Sequence, residues 1–328
     1  MSRILITRWK NVLCAWVLVG LCPTAVYAAQ SFTLGHQFPD DSVPGRAARK
    51  FAALVSQNSK GAVDIDVQPA ARFGDERAHI ALVRKQSLDF TITGDVVVSS
   101  LSERYLVVNL PFLYRNAAHA MAVYSGPLGK GIRAEFENGG LLPLSWHYTG
   151  TRMLTANRPI RNLADIAGLN LRLPLDTAWN VAWRALGAQP RQVPFTDLPL
   201  ALQLGRVDAQ ENPPNFIRSA KLYEHQKYLI STDHMPQRQF VFTSTAFWKS
   251  LSADRRKLFQ DAAKQASAWA TETATKEQKL DVAWLTREGG MTLLAFDPAG
   301  VQEALKNVPH ALGGDEGLSV SRQILATP

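Results

Sequence analysis

Two arginines and an asparagine stand where they could hold an anion. Arg152 follows Tyr148-Thr149-Gly150-Thr151, Arg172 follows Gly168-Leu169-Asn170-Leu171 and precedes Leu173-Pro174, and Asn212 follows Asp208-Ala209-Gln210-Glu211 and precedes Pro213. Each reads as a strand end running into a loop, which is where open α/β sheets place ligand contacts. A planar guanidinium fork matches the two oxygens of a carboxylate, so the chemistry on offer is capture of an organic acid. The plainer alternatives are a solvated arginine and an Asn-Pro pair that only opens a turn. Glu211 would repel an anion, and a structural partner is expected for it. Signs of catalysis are missing: there is no Gly-x-Ser-x-Gly elbow, His-Glu-x-x-His, P-loop or Gly-x-Gly-x-x-Gly. The histidines show no metal spacing. His79 and His147 read as ordinary satisfied side chains, and Asp64 and Asp66 as a solvated strand face.

The elements that position these residues alternate between short strands and amphipathic helices, so the fold class is α/β. Val63 to Val67 alternates as a half-buried strand, and Pro44 to Asn58 reads as a helix with proline in its first turn. Asn162 can cap a short helix that Gly168 ends, with a strand over Leu169 to Leu173. Thr196 can cap a helix that Gly205 ends. A quasi-repeat links Ala81 to Phe90 with Ala201 to Ala209: each runs from helix to strand and delivers polar residues to a loop, Thr93 to Asp95 in one case and Gln210 to Asn212 in the other. Two such units suggest two lobes facing a cleft. Ser252 to Glu288 contains neither proline nor glycine before Gly289, and Leu258, Ala262, Ala266, Trp269, Leu280 and Trp284 set a helical stripe. One unbroken helix there would be on the order of 55 Å long and could bridge both lobes. The alternative is a break near Thr271 to Thr275. Trp146, Trp179 and Phe195 are open between core and cleft.

The chain has 328 residues, and its first 28 read as a secretory leader: Arg3, Arg8 and Lys10, then an apolar run from Val12 to Leu21, then Val26-Tyr27-Ala28 as a cleavage site. Leu21 stands where a lipidation signal ahead of Cys22 wants a small residue. Both cysteines, Cys14 and Cys22, lie in the leader, so no disulfide framework is open to the remainder. The leader also takes three basic residues and no acidic ones, which lowers the formal charge from +8 to +5. That modest surplus has no basic block, so it favours anionic small molecules over nucleic acid.

With Phe32-Thr33-Leu34-Gly35-His36, Phe73-Gly74-Asp75-Glu76-Arg77, Ser87-Leu88-Asp89-Phe90, Thr151-Arg152, Asn157-Arg158-Pro159-Ile160, Leu171-Arg172-Leu173-Pro174 and Gln210-Glu211-Asn212-Pro213 in this order and spacing, the chain resembles the periplasmic DctP-type binding proteins of TRAP transporters. The resemblance implies a two-lobed periplasmic-binding-protein-like fold closing on a small organic acid. Arg172 would pair with the carboxylate, assisted by Arg152 and Asn212, with Phe195 packed on the ligand. Gln37, Glu76 and the Gly94-Asp95 loop would face the cleft from the other lobe, and Trp179 joins the specificity residues. Gly94 stands where relatives that bind sialic acid place a glutamate, which speaks against that ligand.

The expected lobes are 29–149 with about 238–277, and 150–237 with about 278–328. The expected partners are a small organic acid and TRAP membrane permease subunits, with no nucleic acid, no metal and no cofactor, and the receptor is expected to be a monomer. A receptor for an ABC importer or a sensor kinase is the alternative binding role, and a secreted sugar-acid enzyme the alternative chemistry. The exported protein should begin at Ala29 and be recovered soluble from the periplasm. Its intact mass checks this, and a diacylglycerol on Cys22 would refute it.

Overall fold

The computed structural model describes residues 29–328, so the expected leader, with Cys14 and Cys22, lies outside the described residues. No described helix is long and apolar enough to cross a membrane. The strands are β1 (Gln30–Gly35), β2 (Val63–Gln68), β3 (Phe90–Gly94), β4 (Leu141–Ala156), β5 (Asn170–Leu173), β6 (Gln189–Gln192), β7 (Ala209–Asn212), β8 (Tyr228–Ser244) and β9 (Thr292–Ala295). They form one sheet in the order β2-β1-β3-β8-β4-β7-β5-β6, with β9 added to β8.

The long antiparallel ribbon of β4 and β8 turns this sheet into two lobes. β3 pairs with the C-terminal part of β8, Thr91 opposite Phe242 through Gly94 opposite Gln239. β7 pairs with the C-terminal part of β4, Met153 opposite Asn212 through Ala156 opposite Ala209. Because the ribbon strands run antiparallel, these attachments fall at opposite ends of it. The first lobe packs around Phe90, whose ring meets Phe259 at 4.9 Å and Phe51 at 5.4 Å between centroids. Such edge-on pairs add about 0.5–1.5 kcal/mol beyond their buried area.

The quasi-repeat is real in three dimensions. Helix Glu76–Arg84 leads to β3 and helix Leu198–Gln203 leads to β7. Both helices end on the same bond, from Ser87 N to Leu82 O and from Arg206 N to Ala201 O, each 2.9 Å. Gln86 and Gly205 take the left-handed position before it, at φ 57° and 64°. The cap expected from Thr196 is absent. A 3₁₀ turn, Phe195–Asp197, precedes the helix, no side chain caps its N-terminus, and the Thr196 hydroxyl turns to Asp197 instead.

Helix Ala253–Arg287 is unbroken over 35 residues, about 52 Å. Ser252 caps it, accepting from Arg255 N at 3.3 Å. It packs against β4, helix Val43–Asn58 and helix Pro214–Ser219, and so touches both halves of the sheet. Small buried residues, Ala262, Ala263, Ala266, Ala270 and Ala274, let it lie close to the ribbon. The expected stripe fails at Leu280, which is 65% exposed; Asp281 and Leu285 are the buried positions there. The weak helix formers near Thr271 make no break, because one hydroxyl bonds to β4 and another back to the helix itself. Thr271 Oγ1 accepts from Tyr148 N at 3.2 Å, and Thr275 Oγ1 donates back to Thr271 O at 2.7 Å. The C-terminal segment Val308–Ala326, two helical stretches joined by a kink at Gly313 and Gly314, packs on the turn Glu103–Asn109 and also meets helix Thr177–Ala185, so it contacts both halves of the chain.

The long helix is tied to β4 at several points, through Gln260 to Leu144 O, Ser267 to Ser145 and Thr271 to Tyr148 N, and Gln278 forms the pin with the most bonds. Gln278 Oε1 accepts from Thr151 N at 2.7 Å and from the Tyr148 hydroxyl at 3.2 Å, and its Nε2 donates to Thr151 O at 3.3 Å. The contact needs Gly150, where a register shift falls in the β4–β8 pairing. Its φ is +122°, and a Cβ there would lie 2.9 Å from both Gln278 Oε1 and Pro213 Cβ. Gly150→Ala should therefore destabilise the fold by about 1–3 kcal/mol. Urea unfolding checks this, and an unchanged midpoint would mean that the pin is dispensable.

Candidate functional site

The eight residues expected at the site, Arg172, Arg152, Asn212, Phe195, Gln37, Glu76, Asp95 and Trp179, line one pocket between the lobes. They arrive from separate elements. Arg172 is the penultimate residue of β5, Arg152 lies within β4 rather than at the expected strand end because that strand continues to Ala156, β7 ends in Asn212, and Phe195 follows β6. Gln37 follows β1, Asp95 follows β3, Glu76 opens a helix capped by Asp75, and Trp179 sits in the first turn of helix Thr177–Ala185. The cavity is about 50 Å³, room for only a few water-sized groups. Bonds from the first-lobe segments to the second close around it. Arg77 Nη2 donates to Leu175 O at 2.8 Å, Ser99 Oγ to Asp176 at 2.5 Å, and Asn109 Nδ2 to Asp176 at 2.7 Å.

The two central arginines have opposite bonding. Arg152 is spent: Nε and Nη2 donate to the Glu211 carboxylate, Nη1 donates to Gln237 Oε1, and its guanidinium carbon lies 4.6 Å from the Trp179 ring centre. Burial alone would raise Glu211, but Arg152 and His234 hold it below the ordinary glutamate value. His234 Nε2 is 2.9 Å from Glu211, and His234 Nδ1 is 2.8 Å from the Thr232 hydroxyl. Glu211 thus has the structural partner expected of it, and the group it forms with Arg152 carries no net charge.

Arg172 is the reverse case. It is 1% exposed, and only its Nε is bonded, to Val193 O at 2.8 Å. Its two terminal nitrogens have no hydrogen-bond partner among the described residues. Burial, reinforced by the like charge of Arg152, pulls it down to about 9, while the charge of Glu211 acts the other way. The guanidinium remains a cation at neutral pH.

The first-lobe wall is polar and partly unsatisfied. Glu76 Oε1 accepts from Thr93 Oγ1 at 3.1 Å and from Gly94 N, and burial raises its carboxyl to about 7. Asp95 is paired with Arg238, whose Nε donates to it at 2.7 Å. Gln37 makes no side-chain hydrogen bond among the described residues, and the buried Gln239 Oε1 and Trp179 Nε1 lack partners there. Asn212 Nδ2 donates to Gln210 at 2.6 Å, which leaves its amide oxygen and one N–H. Phe195, Phe38 and Phe216 form the apolar side, with centroids 5.2–6.2 Å apart.

Sequence reasoning missed Phe38, Phe216, Gln237 and Gln239. The two glutamines are two residues apart on one strand and so share a face, but Arg238 between them leaves no alternation to mark that face. Trp146 lies outside the pocket, against Tyr124 at 5.8 Å. His79 and His147, expected to be satisfied, are only half so: Nδ1 meets Asp75 O at 2.8 Å and Ser267 Oγ at 3.5 Å respectively, and each leaves a buried Nε2 unpartnered among the described residues. Burial draws His147 down to about 3, so it is neutral.

A sheet split by a two-strand ribbon, with a buried cation facing a small closed pocket, defines a two-lobed solute-binding protein. Residues 34–311 match the DctP family, bacterial extracellular solute-binding protein family 7, and the chain belongs to that family. It is 28% identical over 303 residues to the 2,3-diketo-L-gulonate-binding periplasmic protein YiaO of Escherichia coli, covering 92% of each. It is 33% identical over 301 residues to an uncharacterized protein, y4mM, of Sinorhizobium fredii, where the match covers 90% of this chain but only 54% of that one. The crystal structure of the sugar acid binding protein DctPAm from Advenella mimigardefordensis, in complex with galactonate, superposes with a TM-score of 0.86 at 27% identity, covering 91% of this chain and 97% of that one.

Glu211→Ala should cost about 3–5 kcal/mol of stability, because it strands Arg152 as a buried charge. Glu211→Gln, which keeps an acceptor, should cost less. Denaturant unfolding of both variants measures the difference, and equal losses would show that the charge of Glu211 is not what matters.

Proposed function

We propose that this protein is a periplasmic receptor that closes on a small hydroxylated monocarboxylate and passes it unchanged to a TRAP-type permease. One observation carries the reading: among the described residues, Arg172 is the buried guanidinium lining the pocket whose terminal nitrogens are both unspent. A carboxylate would satisfy both at once. The charge balance favours one carboxylate rather than two. Arg152 is neutralised by Glu211 and Arg238 by Asp95, so a second carboxylate would find no free buried cation. Gln37, Gln239, Asn212 and Trp179 offer donors and acceptors suited to hydroxyl groups.

The sugar acids named for two relatives support this class. Family membership favours a TRAP permease over an ABC importer or a sensor kinase as the recipient. Among the residues lining the pocket, none pairs a nucleophile with a base, and the family is one of solute-binding proteins. We take the lobes as 29–149 with about 238–277, and 150–237 with about 278–328, and the receptor as a monomer. Closure is a population shift driven by contacts that the ligand makes to both lobes.

Arg172→Ala should weaken binding of sugar acids such as galactonate by about 2–5 kcal/mol, roughly thirty-fold to several thousand-fold. Arg172→Lys should recover only part, because an ammonium cannot make two parallel bonds. Titration calorimetry of wild type and both variants decides the matter. Affinity of Arg172→Ala within about three-fold of wild type would place the carboxylate elsewhere.

A further inference from the structure

We propose that Glu76 reads the hydroxyl-bearing end of the ligand as a neutral carboxylic acid, so that the complex takes up one proton as it forms. The proposal rests on the carboxylate reading of Arg172 and extends it to the opposite wall of the pocket. Glu76 Oε1 is taken by two donors, Thr93 Oγ1 and Gly94 N. Its Oε2 has no partner among the described residues, and the side chain lines the pocket. Gly94 makes room for this arrangement: a Cβ there would stand 3.0 Å from both Glu76 Oε1 and Gln239 Nε2.

The groups around Glu76 decide its charge. On its own helix these are Asp75, Arg77 and His79. Arg77 turns away to Leu175 O, and burial keeps His79 below its ordinary value. From the end of β1 come His36, which burial brings down to about 4 and so leaves neutral, and the amide of Gln37. From β3 comes Asp95, held by Arg238 of β8, with Gln237 and Gln239 beside it. From the second lobe come Arg152, neutralised by Glu211, and Arg172, with Asp197 near Arg172. Among the described residues, Arg172 is therefore the buried cation of the pocket free to balance the charge of Glu76, and the two attract each other.

A bound carboxylate takes Arg172 for itself and places a second negative charge in the same dry space. Two carboxylates cannot share one cation there without one of them being protonated. The ligand's carboxylate has both guanidinium bonds, so the proton goes to Glu76, drawn from solvent onto Oε2. The free carboxyl already titrates at about 7, and ligand moves it higher. The protonated Oε2–H then donates to an uncharged oxygen of the ligand, a hydroxyl or a carbonyl.

The sign follows from linkage. Affinity is greatest below the pKa of the free protein and falls as pH rises above it. The fall approaches about tenfold per pH unit until the pKa of the complex is passed.

The test is calorimetry with galactonate, erythronate and glucuronate in buffers of different ionisation enthalpy, from about pH 5.5 to about pH 8. Wild type should take up about one proton per ligand near pH 8 and close to none near pH 5.5. Glu76→Gln should take up none at either pH and lose the pH dependence of its affinity. Binding by wild type without proton uptake near pH 8, or uptake that persists in Glu76→Gln, would overturn the role of Glu76 and leave that of Arg172 standing. Failure of all three acids to bind at any pH would overturn both.

Discussion

A guanidinium buried without its counter-ion is the constraint on which the rest of this structure turns. Stranding such a charge costs several kcal/mol, and Arg172 is stranded. The other buried arginines nearby are neutralised. Arg152 is closed off by Glu211, and Arg238 by Asp95, with Gln237 joining the two groups through Arg152 and the Asp95 carboxylate. The pocket is left with one unspent positive charge in a low-dielectric wall, and such a charge attracts an anion far more strongly than a solvated arginine would.

The scaffold explains how that charge is held. β5 is only four residues long, but its parallel neighbours β6 and β7 fix it on both sides, and Val193 O holds Arg172 Nε. The ribbon of β4 and β8 carries Arg152, Gln237, Arg238 and Gln239, so the strands that join the lobes also supply the network between them. Binding and closure therefore draw on the same hydrogen bonds. The chain from Glu211 through Arg152, Gln237, Asp95 and Asn109 ends at Asp176, four residues beyond Arg172.

Much of this was legible in the sequence. Strand ends bring Arg172 and Asn212 to the site, Arg152 reaches it from within β4, and the residues that the resemblance named, Gln37, Glu76 and Asp95, line the same pocket. What stayed hidden was how the charges divide. Nothing in the spacing of Arg152 and Arg172 says that one is spent on Glu211 and the other is free, because that depends on which carboxylate is within reach after folding. Leu280 misled for a related reason: its spacing fits the apolar stripe, but the helix turns Asp281 inward to meet Arg218 at 3.0 Å. Thr196 misled because a 3₁₀ turn supplied the bonds that a cap would have made. Gln237 and Gln239 lie in a stretch of β8 that is polar on both sides of Arg238, so the sequence does not single out the two that face the pocket.

The matched corners at Gln86 and Gly205 give the pocket two walls of similar construction. A helix ends, the chain turns through a left-handed residue, and a short strand delivers its last side chains inward. The scaffold is close to even-handed, but its chemistry is not. One wall presents a bare cation and the other a carboxyl and amides. A ligand with an acid at one end and alcohols at the other can lie in this slot in one direction only. A molecule with two identical ends would satisfy one wall and offend the other. On the proposed roles of Arg172 and Glu76 the receptor reads polarity along its cargo, and head-to-tail asymmetry becomes as much a criterion for selection as size.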